Sequence, residues 1–92
     1  MIINVNVTQS YIDEGGICTT DCPIALTLME TGLWDLVNVG RESIRLFKIN
    51  PHNYEFIDLQ DEVKKWIYQY DNDRNAAKPF SFKLKSKVKW SK

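Results

Sequence analysis

The run "PFSFKLKSKVKW", residues 79–90, alternates apolar and polar side chains almost without a break. Phe80, Phe82, Leu84, Val88 and Trp90 fall on one side, and Ser81, Lys83, Lys85, Lys87 and Lys89 on the other. A period of two belongs to a strand and not to a helix, so one face is buried and the other solvated. The basic face also discourages edge-to-edge aggregation. A strand with one apolar face needs partner strands and a cover. The cover lies just upstream. Leu59, Val63, Trp66, Ile67 and Tyr70 recur at the spacing of one face of an α-helix. Asp58 is expected to cap that helix, with Asp61 in its first turn and spaced to pair with Lys65.

The rest of the chain fits around this pair. Ile3, Val5 and Val7 alternate with Asn4 and Asn6, a half-buried strand. "QSYIDEGG" reads as a helical turn or loop. Asp21 or Cys22 suits an N-cap, Pro23 the first helical position and Gly32 the residue past the end. Ile24, Ala25, Leu26, Leu28 and Met29 leave that helix little polar face. It is therefore expected to be covered by its own sheet and by a second subunit, which makes the chain a homo-oligomer. "LWDLVNV" and "SIRLFKI" flank Gly40 as a β-hairpin. "NPHNYEF" reads as an irregular connection and "DNDRNAAK" as a loop. The order is β-α-β-β-α-β in one α+β domain spanning residues 1–92, a mostly antiparallel sheet with two helices packed on one face.

Composition narrows the function classes. A hydrophobic content of 43% with zero formal charge describes a folded chain. No apolar run approaches the roughly 20 residues of a membrane span, and "MIINVNVTQ" lacks the pattern of a secretory signal. The expectation is a soluble, cytoplasmic protein with no membrane partner. Residues 75–92 carry six lysines and no acid, leaving six basic against twelve acidic groups elsewhere. On so acidic a body, nucleic acid is not an expected partner.

Site chemistry is sparse. Cys18 and Cys22 are one residue too far apart for a thioredoxin-type pair, and His52 is the sole histidine, so neither a metal site nor a cofactor is expected. "GGICTTDCP" gathers glycines, hydroxyls and a helix start. It lacks a P-loop lysine, however, and Asp21 stands where a phosphate would sit, so turning and capping account for it. No nucleophile is paired with a base, and Asp58 with Asp61 or Asp71 with Asp73 are ordinary acids of a helix start and a loop; the chain is not expected to be an enzyme. Trp34, Tyr54, Tyr68 and Trp90, with Arg41, Arg45 and Arg74, offer two readings: stacking plus phosphate clamping, or aromatic packing against lysine stems.

"VNVTQSYIDEG", "CPIALTL", "LQDEVKKWIYQYD" and "KPFSFKL" together resemble a family of small uncharacterised proteins encoded by bacteriophages and prophages. Those chains open with V-x-V-T, continue into a C-P-I-A-type helix and end in a P-F-x-F-type segment. This chain differs by Thr27, where a small apolar residue is usual, and by a longer lysine-rich end. The family brings no established activity. The resemblance implies a phage accessory protein, acting in the host cytoplasm by binding. Two functions follow. One is an anti-defence protein that sequesters a nucleotide-derived immune signal without cleaving it; the other is a protein-binding inhibitor or regulator of a host defence protein. For the first, the ligand set is Arg41 and Arg45 for phosphate, Thr19 and Thr20 at the helix start, and Trp34 for the base.

Overall fold

The computed structural model describes residues 1–92. Its strands are β1 (Ile2–Val7), β2 (Leu36–Val39), β3 (Ser43–Lys48), β4 (Asn53–Asp58) and β5 (Phe80–Lys85). Its helices are α1 (Gln9–Glu14), α2 (Pro23–Met29) and α3 (Asp61–Asn72), with a 3₁₀ turn at Arg74–Ala76. This is an α+β fold.

β1 and β5 pair antiparallel with Ile3 opposite Leu84 and Val5 opposite Phe82, so the apolar sets of both strands share a face. β2, β3 and β4 form a second antiparallel sheet in that order. Val37 lies opposite Leu46, Val39 opposite Ile44, and Ile44 opposite Ile57. α2 packs on both β1 and β2, so the two sheets curve around one core of 21 side chains. Pro23 occupies the first turn of α2 after Cys22, and Gly32 just beyond the helix has φ +74°, a conformation suited to glycine. Pro23, Ile24, Ala25 and Leu28 are buried within the chain itself. α3 buries Val63, Trp66, Ile67 and Tyr70. Trp66 stacks on Tyr70 at 5.5 Å and on Phe80 at 5.8 Å, and its Nε1 donates to the Lys78 carbonyl at 2.9 Å.

The finer details depart from the sequence expectation in several places. "NPHNYEF" holds the first four residues of β4, and the alternation there is inverted: Glu55 points inward while Tyr54 and Phe56 point out. The strands divide between two sheets instead of one, since β4 and β5 do not bond to each other. Asp58 ends β4, and Gln60 precedes α3 without a side-chain cap. Asp61 and Lys65 do not pair; the single ion pair joins Lys64 to Glu42 at 3.0 Å, across elements.

β5 stops at Lys85 although its apolar alternation runs on. Glu55 explains how the rest is held. Its carboxylate accepts from the Ser86 hydroxyl, from Lys87 N at 2.7 Å and from Trp90 Nε1 at 3.1 Å. Burial alone would raise the Glu55 carboxyl, but these donors outweigh it and hold it below the ordinary glutamate value. Trp90 is thereby seated edge-on against Trp34, with ring centroids 6.0 Å apart.

Candidate functional site around Arg41 and Arg45

The β2–β3 hairpin closes tightly, with Gly40 N donating to Ser43 O at 2.9 Å, and this leaves Arg41 and Glu42 at its tip. The loop from Ile17 to Cys22 lies alongside, because Val39 N donates to Thr19 O at 2.8 Å. Asp21 shapes that loop: its Oδ1 accepts from Cys18 N at 2.9 Å, and a Cβ on Gly16 would collide with the same carboxylate. Asp21 is thus engaged in loop closure.

Arg41 stands where three hollows meet. The first, about 320 Å³, is polar and contains Thr19, Asn38, Ser43 and Arg45. The second, about 150 Å³, runs inward past Cys22, Ile67 and Tyr70. The third, about 310 Å³, opens along α3 past Lys64, Lys65, Tyr68 and Asp71. Glu42 bonds to Lys64 and raises the lysine's pKa, so Arg41 is left with no carboxylate partner. In the inner hollow, burial pushes the Cys22 thiol and the Tyr70 phenol up, away from their ionised forms. The Tyr70 hydroxyl donates to the Gly16 carbonyl at 3.1 Å.

Arg45 joins the polar hollow to a different surface. It points outward from β3, with its guanidinium 5.2 Å from the Phe56 ring centroid. Phe56 is 5.6 Å from Tyr54, and Tyr54 stacks on Phe47 at 6.4 Å. Tyr54 and Phe56 are 57% and 58% exposed. Cation and rings form one continuous outer face on the β2–β3–β4 sheet.

Of the residues singled out from the sequence, Arg41, Arg45 and Thr19 come together in the polar hollow. Thr20 is exposed in the neighbouring loop and lines none of the three hollows. Trp34 is only 4% exposed, so it offers no ring face to a ligand; its Nε1 is the one buried side-chain polar atom without a partner. Arg74 is committed elsewhere, donating to the carbonyls of Ile12 at 3.0 Å and Asp13 at 2.6 Å. The exposed rings beside these arginines are Tyr54 and Phe56 of β4 instead. The signal for β4 was the pair Tyr54 and Phe56 flanking a carboxylate in alternation, a strand pattern with its apolar residues turned out.

No group of three or more histidine, cysteine or acidic side chains is placed to hold a metal ion, and no helix is long and apolar enough to cross a membrane. No family model, curated protein or solved structure matches the chain.

Proposed function

We propose that this chain is a phage- or prophage-encoded anti-defence protein that sequesters a nucleotide-derived immune signal without cleaving it. Phosphate is held by Arg41 and Arg45 with help from Thr19, and the base stacks on Phe56 and Tyr54. The observation that carries this reading is the position of Arg45, which belongs both to the polar hollow and to the exposed aromatic face. Arginine matches phosphate bidentately, and a base stacked on an aromatic ring contributes about 1–3 kcal/mol. The hollow's one carboxylate, Glu42, is engaged with Lys64. Homo-oligomerisation and a place in the host cytoplasm belong to the same proposal. Pro23, Ile24, Ala25 and Leu28 of α2 are buried in their own chain, so a second copy would close over the outer sheet face around Tyr54 and Phe56, with the base held between the two copies.

Calorimetric titration with a panel of cyclic oligonucleotides and cyclic ADP-ribose isomers tests this. A panel member is expected to bind below about 10 µM. Arg45→Ala and Phe56→Ala should each weaken it, the arginine by roughly 10- to 150-fold. The ligand should be recovered unchanged after heat denaturation. Uniformly weak binding across the panel, or binding indifferent to Arg45, refutes the reading.

The alternative, inhibition of a host defence protein, draws on Lys83 and Lys85, which are exposed on β5 and paired with no acid.

A further inference from the structure

The two sheets are parted between β4 and β5, and the hydrogen-bond register identifies the main-chain groups that face the gap. Met1 N donates to Ser86 O, and Ser86 N to Met1 O, so these two residues are a bonded pair. Bonded pairs recur at every second residue of an antiparallel ladder, which assigns Ile3 with Leu84 and Val5 with Phe82. The intervening Ser81, Lys83 and Lys85 therefore turn N–H and C=O away from β1. On the other side, Leu59 N donates to Glu42 O, which makes Ile44 with Ile57 and Leu46 with Glu55 the bonded pairs. Phe56 and Asp58 accordingly turn their main-chain groups away from β3.

Asp58 from the first edge and Lys83 and Lys85 from the second line one cleft of about 640 Å³. Its apolar lining is Ile57, Leu59, Val63, Phe82 and Leu84. Two protein groups already bridge the parted edges as substitutes for a ladder. Gln60 Nε2 donates to Lys83 O at 2.9 Å, and Lys87 N donates to the Glu55 carboxylate at 2.7 Å. Between those bridges Lys85 keeps its main-chain donor and acceptor free.

We infer that this cleft takes an extended peptide by strand addition on β5, and that the peptide alternates aspartate or glutamate with aliphatic residues. An extended backbone pairs with both main-chain groups of Lys85 and, by displacing the Gln60 amide, with those of Lys83 two residues away. One set of its side chains enters the apolar lining. The other lies beside Lys83 and Lys85, whose ammoniums have no carboxylate partner in the chain. Asp58 and Glu62 line the opposite wall and repel acids there, so the acidic positions are favoured only where they pair with the lysines. This surface is distinct from the Arg41 hollow and does not depend on a nucleotide ligand.

The test uses the full chain and fluorescein-labelled peptides of about six residues, an ordinary strand length. A peptide alternating valine with aspartate should bind, and one alternating valine with lysine should not. N-methylation of at least one alternate set of its amides should abolish binding. Lys83→Glu combined with Lys85→Glu, at exposed positions that leave the melting temperature unchanged, should weaken the aspartate peptide roughly 10-fold and admit the lysine peptide. Arg45→Ala should leave peptide binding untouched. The inference is overturned if no peptide binds, if both N-methylated forms bind as well as the parent, or if charge reversal changes nothing. It is equally overturned if oligothymidylate binds through Lys83 and Lys85 while the aspartate peptide does not.

Discussion

Glu55 and Arg41 lie on neighbouring parts of the chain and live in opposite worlds. Glu55 is 9% exposed, and three donors from the C-terminal segment converge on its two oxygens. Arg41 is exposed at a hairpin tip, and the nearest acid in sequence, Glu42, is already engaged by Lys64. A charge whose hydrogen bonds are satisfied inside the protein holds the fold together. A charge with donors to spare at a concave surface is available for recognition.

The contrast is broken most severely at Glu55. Glu55→Ala strands Lys87 N, leaves the Ser86 hydroxyl only the Val88 carbonyl and Trp90 Nε1 only Ser86 Oγ, and should lower stability by about 3 kcal/mol in urea denaturation. A variant unfolding at the wild-type midpoint would show that the cluster contributes nothing. The same group sets a pH dependence. Its folded pKa lies below its unfolded value, so its contribution is complete above about 4.3 and is lost as pH falls through the folded pKa. The stability gap between wild type and Glu55→Gln should therefore narrow on acidification below about pH 4.

The two edge-on tryptophans sharpen the comparison at intermediate size. Trp90 Nε1 donates to Glu55, whereas Trp34 Nε1 has no acceptor. Trp90→Phe forfeits that bond and should cost about 1 kcal/mol more than Trp34→Phe, which removes an unsatisfied donor. Equal losses in thermal denaturation would mean that only ring volume matters at both sites.

At Arg41 the smallest stability effect is expected. Arg41→Ala should stay within about 0.5 kcal/mol of wild type, as surface substitutions do, while weakening the nucleotide binding proposed above. A melting temperature that drops as it does for Glu55→Ala would place Arg41 among the structural groups.

These contrasts also mark how far the sequence can be read. α3 was legible because Val63, Trp66, Ile67 and Tyr70 all meet the core, although Leu59, read as part of the same face, lies ahead of the helix. The hairpin and the Pro23 helix start were legible from turn and cap chemistry. β4 was not, because hydrophobic periodicity assumes that acids face water, and Glu55 faces inward to partners contributed from residues 86–90. The parting of the sheets was hidden for a related reason: side chains of Gln60 and Glu55 replace main-chain bonds, and side-chain substitution leaves no periodic trace. At the site, the gathering of Arg41, Arg45 and Thr19 followed from the hairpin and its neighbouring loop. Trp34 was misplaced because sequence proximity to the hairpin says nothing about which way an indole turns, and Trp90 closes over it from the far end of the chain.

The burial of all three tryptophans has an optical consequence. Trp34, Trp66 and Trp90 are at most 8% exposed, so their emission belongs to the interior and changes when the core opens. The outer sheet face holds no indole, only Tyr54 beside Phe47 and Phe56. Indole light thus reports whether the protein is folded, and with Tyr68 replaced by Phe the exposed phenol left to report on the open sheet face is that of Tyr54.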